Sequence, residues 1–169
     1  MHKLRFIFAS FVIAILAISC VDGKLFVPKI EEVYFEPSLG VDLAASTRTA
    51  SGLYYRDVVV GGGTEVLQVV GDSVGVRYRG YLRNGVKFDS NTTAAQPLRF
   101  KTGTNAVIRG FDEGVRGMRV GGRRQLIIPP GLGYGSQGSA AIPSNSIRVL
   151  DVTPQVLYSA DSTPPPPTP

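Results

Sequence analysis

With 169 residues, 43% of them hydrophobic and 18% charged, the chain has material for one globular domain with appendages and too little for two. Its formal charge of +5 comes from arginines scattered singly, without a run of five or six basic residues, so nucleic acid is not an expected partner; an ordinary solvated cationic face, with at most weak attraction to anionic lipid headgroups, accounts for it. The only histidine is His2, so the rest of the chain cannot build a Ser-His-Asp or Cys-His hydrolase or a histidine-based metal site.

In chain order, Lys3 and Arg5 precede an apolar run over residues 6–18, the charged and apolar parts of an export signal, and that run is too short to span a bilayer. Cys20, the only cysteine, ends the stretch Ala17-Ile18-Ser19-Cys20, which resembles the lipobox of bacterial lipoproteins, where the cysteine is acylated and becomes the mature N-terminus. Ala17 departs from the usual leucine, and a cysteine beside a plain secretory signal is the alternative. The resemblance implies a signal over residues 1–20, a mature protein in the periplasm or cell envelope held to the membrane by lipid, and no thiol left for an internal disulfide. Residues 21–50 are mixed in composition and interrupted by proline, which reads as a spacer.

Residues 52–60 read as a strand, Gly61-Gly62-Gly63 as a turn and residues 65–70 as a second short apolar piece. A hairpin follows. Val74, Val76, Tyr78, Gly80 and Leu82 alternate with Arg77, Arg79, Tyr81 and Arg83, so one face of the strand is buried and the other wet. Asn84-Gly85 has the composition of a two-residue type I′ turn, and the chain returns through Val86 and Phe88. Asp89 follows at the point where Ser90-Asn91-Thr92-Thr93 breaks the strand, which puts its carboxylate at the rim of the apolar face. A carboxylate next to a buried aromatic is costly unless it has a partner.

Helical spacing occurs once: Ile108, Phe111, Val115 and Met118 share a face, predicting a short helix over residues 105–117 capped by Thr104 or Asn105. Gly110, Gly114 and Gly117 disfavour it by about 1 kcal/mol each, so it depends on packing, and the missing side chains let it lie close on a sheet. Residues 123–128 read as a strand stopped by Pro129-Pro130; a Gly- and Ser-rich loop and a last strand over residues 147–152 follow. Pro154 would end that strand or place it at an edge. Residues 159–169, with their run of prolines, read as an extended tail. The fold class is α+β: an antiparallel sheet wrapped around one short helix, over residues 51–158.

Two signals mislead. Gly133-Tyr134-Gly135-Ser136-Gln137-Gly138 has the spacing of a dinucleotide fingerprint but neither follows a strand directly nor opens a helix, so it reads as a loop. Asp89, Asp112, Glu113 and Asp151 lack the spacing of a calcium loop, and no metal is expected.

Jointly, Val76-Arg-Tyr-Arg-Gly-Tyr-Leu-Arg-Asn-Gly-Val-Lys-Phe-Asp-Ser90, Val107-Ile-Arg-Gly-Phe-Asp-Glu-Gly-Val-Arg-Gly-Met118, Gly121-Gly-Arg-Arg124, Gly133-Tyr-Gly135 and Ile142-Pro143 resemble the FKBP-type peptidyl-prolyl isomerases over residues 51–157. The resemblance implies a half-barrel around one helix and rotation about X-Pro bonds without any cofactor. It assigns catalysis to Asp89, Tyr78, Phe111 and Tyr134, and substrate contact to Phe88, Leu98, Phe100, Val107, Ile108, Ile142 and Leu150. Phe111 would floor the pocket, Asp89 would bond Tyr78, and the Ile108 N–H and Tyr134 hydroxyl would donate to peptide carbonyls. On periodicity alone, Tyr78, Phe88 and Phe111 would be plain core aromatics.

The implied partners are proline-containing unfolded or nascent exported polypeptides, and the runner-up is a non-catalytic chaperone or docking module that holds proline-containing segments. Leu98 and Leu150 stand where the best-known members have phenylalanine, Ala94 replaces a basic residue, and Ser139 lies in a loop about one residue shorter. These departures imply altered sequence preference and weaker binding of macrolides such as tacrolimus.

Overall fold

The computed structural model describes residues 27–66 and 73–158; the expected export signal with Cys20, part of the apolar piece over 65–70 and the proline-rich tail lie outside them. The described strands are β1 (Thr47–Arg48), β2 (Tyr54–Val59), β3 (Ser73–Leu82), β4 (Lys87–Asn91), β5 (Leu98–Lys101), β6 (Arg123–Ile128) and β7 (Arg148–Tyr158), with one α-helix, α1 (Arg109–Val115). Every pairing is antiparallel. The spatial order is β1-β2-β6-β7-β3-β4, with β5 beside the first half of β3. The alternation read from β3 holds: Val74, Val76 and Gly80 are buried, Tyr78 is half-buried and Arg79 is exposed.

Four expectations are corrected. The hairpin turn is not type I′: Gly85 has φ 84°, but Asn84 is not among the positive-φ residues. Gly85 N–H donates to the Leu82 carbonyl (2.9 Å) and Leu82 N–H to that of Val86 (2.8 Å), which makes a three-residue loop in which only glycine must be left-handed. Asn84 uses its side chain instead, accepting from the Val86 N–H at 3.2 Å.

The helix is seven residues long and neither Thr104 nor Asn105 caps it. Thr104 donates its hydroxyl to the Lys101 carbonyl (2.8 Å) and Asn105 takes φ 57°, so the chain is still turning there; Ile108 is the N-cap, without a side-chain bond. β7 neither ends at Pro154 nor becomes an edge: Val76 pairs with Pro154 and Gly75 with Val156, so Gln155 bulges and the ladder needs no proline N–H.

Last, residues 27–50 are not a spacer. Ile30 is buried with Tyr54, Ile127 and Ile147, and Val33, Phe35, Val41 and Leu43 pack around them on the outer face of the sheet. Gln125 donates to the Leu39 carbonyl (2.7 Å) and Arg56 to that of Gly40 (2.8 Å), which ties this segment down. The Tyr54 hydroxyl bonds Glu31 and holds its carboxyl below the usual range.

The main core lies between α1 and the inner face of the sheet, where Val74, Val76, Phe100, Phe111, Val115, Met118, Leu126, Ile128, Leu150 and Val152 meet. Close approach of α1 to β6 depends on glycine: a Cβ on Gly110 would sit 2.5 Å from Ile128 Cγ2, and one on Gly114 would sit 2.5 Å from Leu126 Cδ1. Gly110→Ala is therefore expected to lower stability by about 1–2 kcal/mol, because overpacking outweighs the gain of about 1 kcal/mol in helix propensity. Urea denaturation checks the sign.

Arg124 locks the helix end to the sheet. It is 7% exposed, pairs with both oxygens of Asp57 (2.7 and 2.9 Å), and donates Nη1 to the carbonyls of Gly114 (3.0 Å) and Arg116 (3.1 Å). Those carbonyls belong to the last turn of α1 and its C-cap, where no further helical N–H reaches them. Its guanidinium also lies 4.4 Å from the Tyr55 ring centroid.

Candidate active site

The site forms where the curled end of the sheet faces the start of α1. Tyr78 on β3 points inward, and its hydroxyl donates to Asp89 Oδ2 at 2.6 Å; Asp89 Oδ1 accepts the Ser90 N–H at 2.7 Å. The expected phenol–carboxylate pair is present, with Asp89 exposed at the rim. Burial, then the Asp89 hydrogen bond and charge, push the Tyr78 hydroxyl well above its ordinary value. The phenol is thus held as a donor.

A bulge in β4 explains how adjacent residues both serve this site. Gly80 pairs with Asp89 and Tyr81 with Lys87, which leaves Phe88 without a partner and turns its ring onto Gly80. A Cβ on Gly80 would meet Phe88 Cζ at 2.7 Å, so the ring needs the glycine beneath it.

Phe111, in the first turn of α1, is 4% exposed. Its ring centroid lies 5.3 Å from that of Tyr78 at an interplanar angle of 61°, and 5.5 Å from that of Phe100 at 54°. Leu150 is buried in the same cluster, and Phe88, Leu98, Val107 and Ile108 are packed against it partly buried. The Ile108 carbonyl accepts from the N–H groups of Phe111 (2.9 Å) and Asp112 (3.1 Å), while its own N–H has no acceptor among the described residues.

Tyr134, after the helical turn Pro130–Leu132, is 42% exposed and close enough to Tyr78 to act on its hydroxyl electrostatically. Ile142 is buried, but it closes a tight turn with Ser139 and does not belong to the apolar cluster around Phe111. Among the described residues no three of His, Cys, Asp and Glu come together as metal ligands.

One residue beside the site escaped the sequence reading. Arg148 shares the inward parity of Leu150 and Val152 on β7 and is 1% exposed, with Nε and Nη1 unpaired. Its guanidinium lies 5.0 Å from the Tyr134 ring centroid and against Gly133, where a Cβ would fall 1.6 Å from Nη2. Burial pulls its pKa down, against the opposing charge effect of Tyr134. The period-two rule, extended one step back from Leu150, would have found it.

An open antiparallel sheet closed over one short helix, with aromatic rings between them and a phenol–carboxylate pair at the rim, defines a half-barrel. The chain belongs to the FKBP-type peptidyl-prolyl cis-trans isomerase family, whose pattern its residues 67–161 match. It is 52% identical over 83 residues to FK506-binding protein 2 of Dictyostelium discoideum, covering 48% of this chain and 62% of that protein. It is 46% identical over 109 residues to FK506-binding protein 4 of Gibberella zeae, covering 64% of this chain and 21% of that protein. The chain thus spans less than two thirds of either curated relative.

Among solved structures, it is similar to AtFKBP13, at 37% identity and a TM-score of 0.58, with 64% of this chain and 95% of that one covered. FkpA from Escherichia coli matches at 35% identity and a TM-score of 0.61, with 69% and 53% covered.

Proposed function

We propose that the chain catalyses cis–trans rotation about X-Pro bonds in polypeptides, with the proline ring lodged against Phe111. The observation that carries this reading is the Tyr78–Asp89 hydrogen bond at the edge of the Phe111 ring cluster. Rotation is opposed by a barrier of about 18–20 kcal/mol because the planar amide is resonance-stabilised. A twisted amide loses that resonance and much of its charge separation. An apolar site disfavours the planar, solvated form relative to the twisted one, and fixed donors hold the twisted geometry, so the acceleration is differential binding. Tyr134 and the Ile108 N–H are the donors, and Asp89 fixes the Tyr78 ring that walls the site.

The test is a protease-coupled assay on Ala-Leu-Pro-Phe peptides with the full chain and Asp89→Ala. The variant loses a hydrogen bond to a charged group, about 1.5–3 kcal/mol, so kcat/KM should fall about 10- to 100-fold. Unchanged turnover would remove Asp89 from the site. Peptide binding without turnover in the native chain would establish the docking-module alternative.

Tyr78 supplies a pH prediction. Because its pKa is raised from 10, the folded state keeps a proton that the unfolded chain releases above pH 10; its stabilising contribution is full below pH 10 and declines as pH rises further. From about pH 7 to about pH 9, kcat/KM should accordingly be flat with respect to this group. A pH–rate profile that falls with a midpoint in that window would contradict it.

We further propose that the polypeptides served are exported ones and that Cys20 carries lipid; the charged and apolar N-terminal pattern supports this. Mass spectrometry of the mature N-terminus tests it, an acylated Cys20 agreeing and an unprocessed Met1 refuting it. Macrolide binding weaker than that of the best-known members is supported by Leu98 and Leu150, which make the site less aromatic than a phenylalanine-lined one.

A further inference from the structure

The outer face of the sheet is divided in two. Residues 27–50 cover the half that holds Ile127 and Ile147, and the cover stops at Gln125. Beyond it lies an open groove of about 270 Å³ lined by Arg77, Arg79, Arg123, Thr92, Thr153 and Asp151, together with Tyr78. Strand register sets the groove's geometry. Arg79, Asp151 and Gln125 form one cross-strand row; Arg77 faces Thr153 in the next, and Arg123, the residue before the Arg124–Val152 pair, flanks Thr153 from the other side. Two strand spacings separate Arg77 from Arg123, roughly 10 Å at the backbone, so both guanidinium groups can converge on one anion above the Thr153 hydroxyl.

Like charges on adjacent strands repel, and a sheet ordinarily relieves them with opposite charges. Here relief is incomplete. Among the described residues no carboxylate lies within ion-pair distance of Arg77, Arg79 or Arg123, and Arg77 Nε is buried without a partner. Arg56, by contrast, has Asp42 at 3.8 Å. Asp151 is the one acid in the groove, and burial favours its neutral form against the pull of the surrounding arginines.

Thr92 lies three residues beyond Asp89, just past the end of β4, so only about 10 Å of edge chain separates the groove from the rim where Asp89 meets Tyr78. A chain held at that rim needs only a few further residues to round the edge.

We propose that the Arg77–Arg123 groove binds a carboxylate side chain of the polypeptide substrate, so that X-Pro bonds with aspartate or glutamate about three to six residues away are preferred. This rests on the isomerase reading for its catalytic consequence, and not for the binding itself. The groove's size fits side-chain head groups rather than a duplex.

The test compares Glu-Glu-Glu-Gly-Ala-Leu-Pro-Phe-Gly-Glu-Glu-Glu with the same peptide carrying glutamine for every glutamate, using the full chain and Arg77→Gln/Arg123→Gln. At low ionic strength kcat/KM for the glutamate peptide should be about 10-fold higher, an advantage that salt erodes. The double variant should lose it while turning over the glutamine peptide within about twofold of the native chain. Isomerisation of both peptides at equal rates by the native chain, or an advantage that survives in the double variant, overturns the proposal.

Fluorescence anisotropy of a labelled glutamate peptide with alanine for proline separates the two readings. If that peptide binds through the arginines but neither proline peptide is isomerised, the groove stands and the isomerase reading falls. If isomerisation proceeds and this binding is absent, the groove falls. Arginine-dependent sedimentation with phosphatidylglycerol vesicles, without any preference for the glutamate peptide, would assign the groove to lipid and overturn the proposal.

Discussion

Phe111→Leu is expected to cut kcat/KM for a proline peptide by about 10- to 100-fold in a chain that still folds. The substitution keeps an apolar side chain in the first turn of α1 but removes two ring contacts, to Tyr78 at 5.3 Å and to Phe100 at 5.5 Å. Aromatic pairs contribute about 0.5–1.5 kcal/mol each beyond burial, so about 1–3 kcal/mol of the packing that shapes the site is lost. If that packing bears on the twisted amide, the rate falls tenfold for each 1.36 kcal/mol. A protease-coupled assay measures the rate, and a urea melt shows that the remaining core, including Val115 and Leu150, still holds. Unaltered turnover in a folded Phe111→Leu variant would mean that the proline ring does not rest there.

The largest stability effect should come from Arg124→Met, at about 3–5 kcal/mol of unfolding free energy. Methionine matches the length of the stem but leaves Asp57 without its partner and the Gly114 and Arg116 carbonyls without a donor. Because the Asp57 side chain is 37% exposed, water compensates it in part and the lower end of that range applies. Asp57→Asn should cost less, about 1–2 kcal/mol, since Arg124 keeps both carbonyls. Denaturant midpoints at constant slope give both values. Equal losses for the two variants would mean that the helix carbonyls contribute nothing.

Short-range patterns carried most of the fold. The alternation through Val74, Val76 and Tyr78 marks β3, the spacing of Phe111 and Val115 marks the buried face of α1, and the glycines Gly110 and Gly114 announce its close packing on β6. The site was legible through combination: aromatic residues that read singly as core acquire a role once Asp89, Gly110 to Phe111 and Tyr134 recur together at family spacing.

What stayed hidden depends on contacts remote in sequence. Pairing of Gly80 with Asp89 and of Tyr81 with Lys87 makes the β4 bulge, and nothing in Phe88 itself records it. The weakly periodic residues 27–50 find apolar partners only after Ile127 and Ile147 are brought together. Arg124 and Arg148 are charged residues in strands and read as wet; the carbonyls of a helix end and the face of a tyrosine make their burial tolerable.

Exchange NMR of a proline peptide with a substoichiometric amount of the full chain tests the central claim most directly. Unaided X-Pro bonds interconvert over tens to hundreds of seconds. Cis–trans cross-peaks should appear at mixing times of about 1 s or less with the native chain and fade with Phe111→Leu at equal concentration. Exchange that stays at the unaided rate, while the peptide visibly binds, would contradict a site that favours the twisted amide.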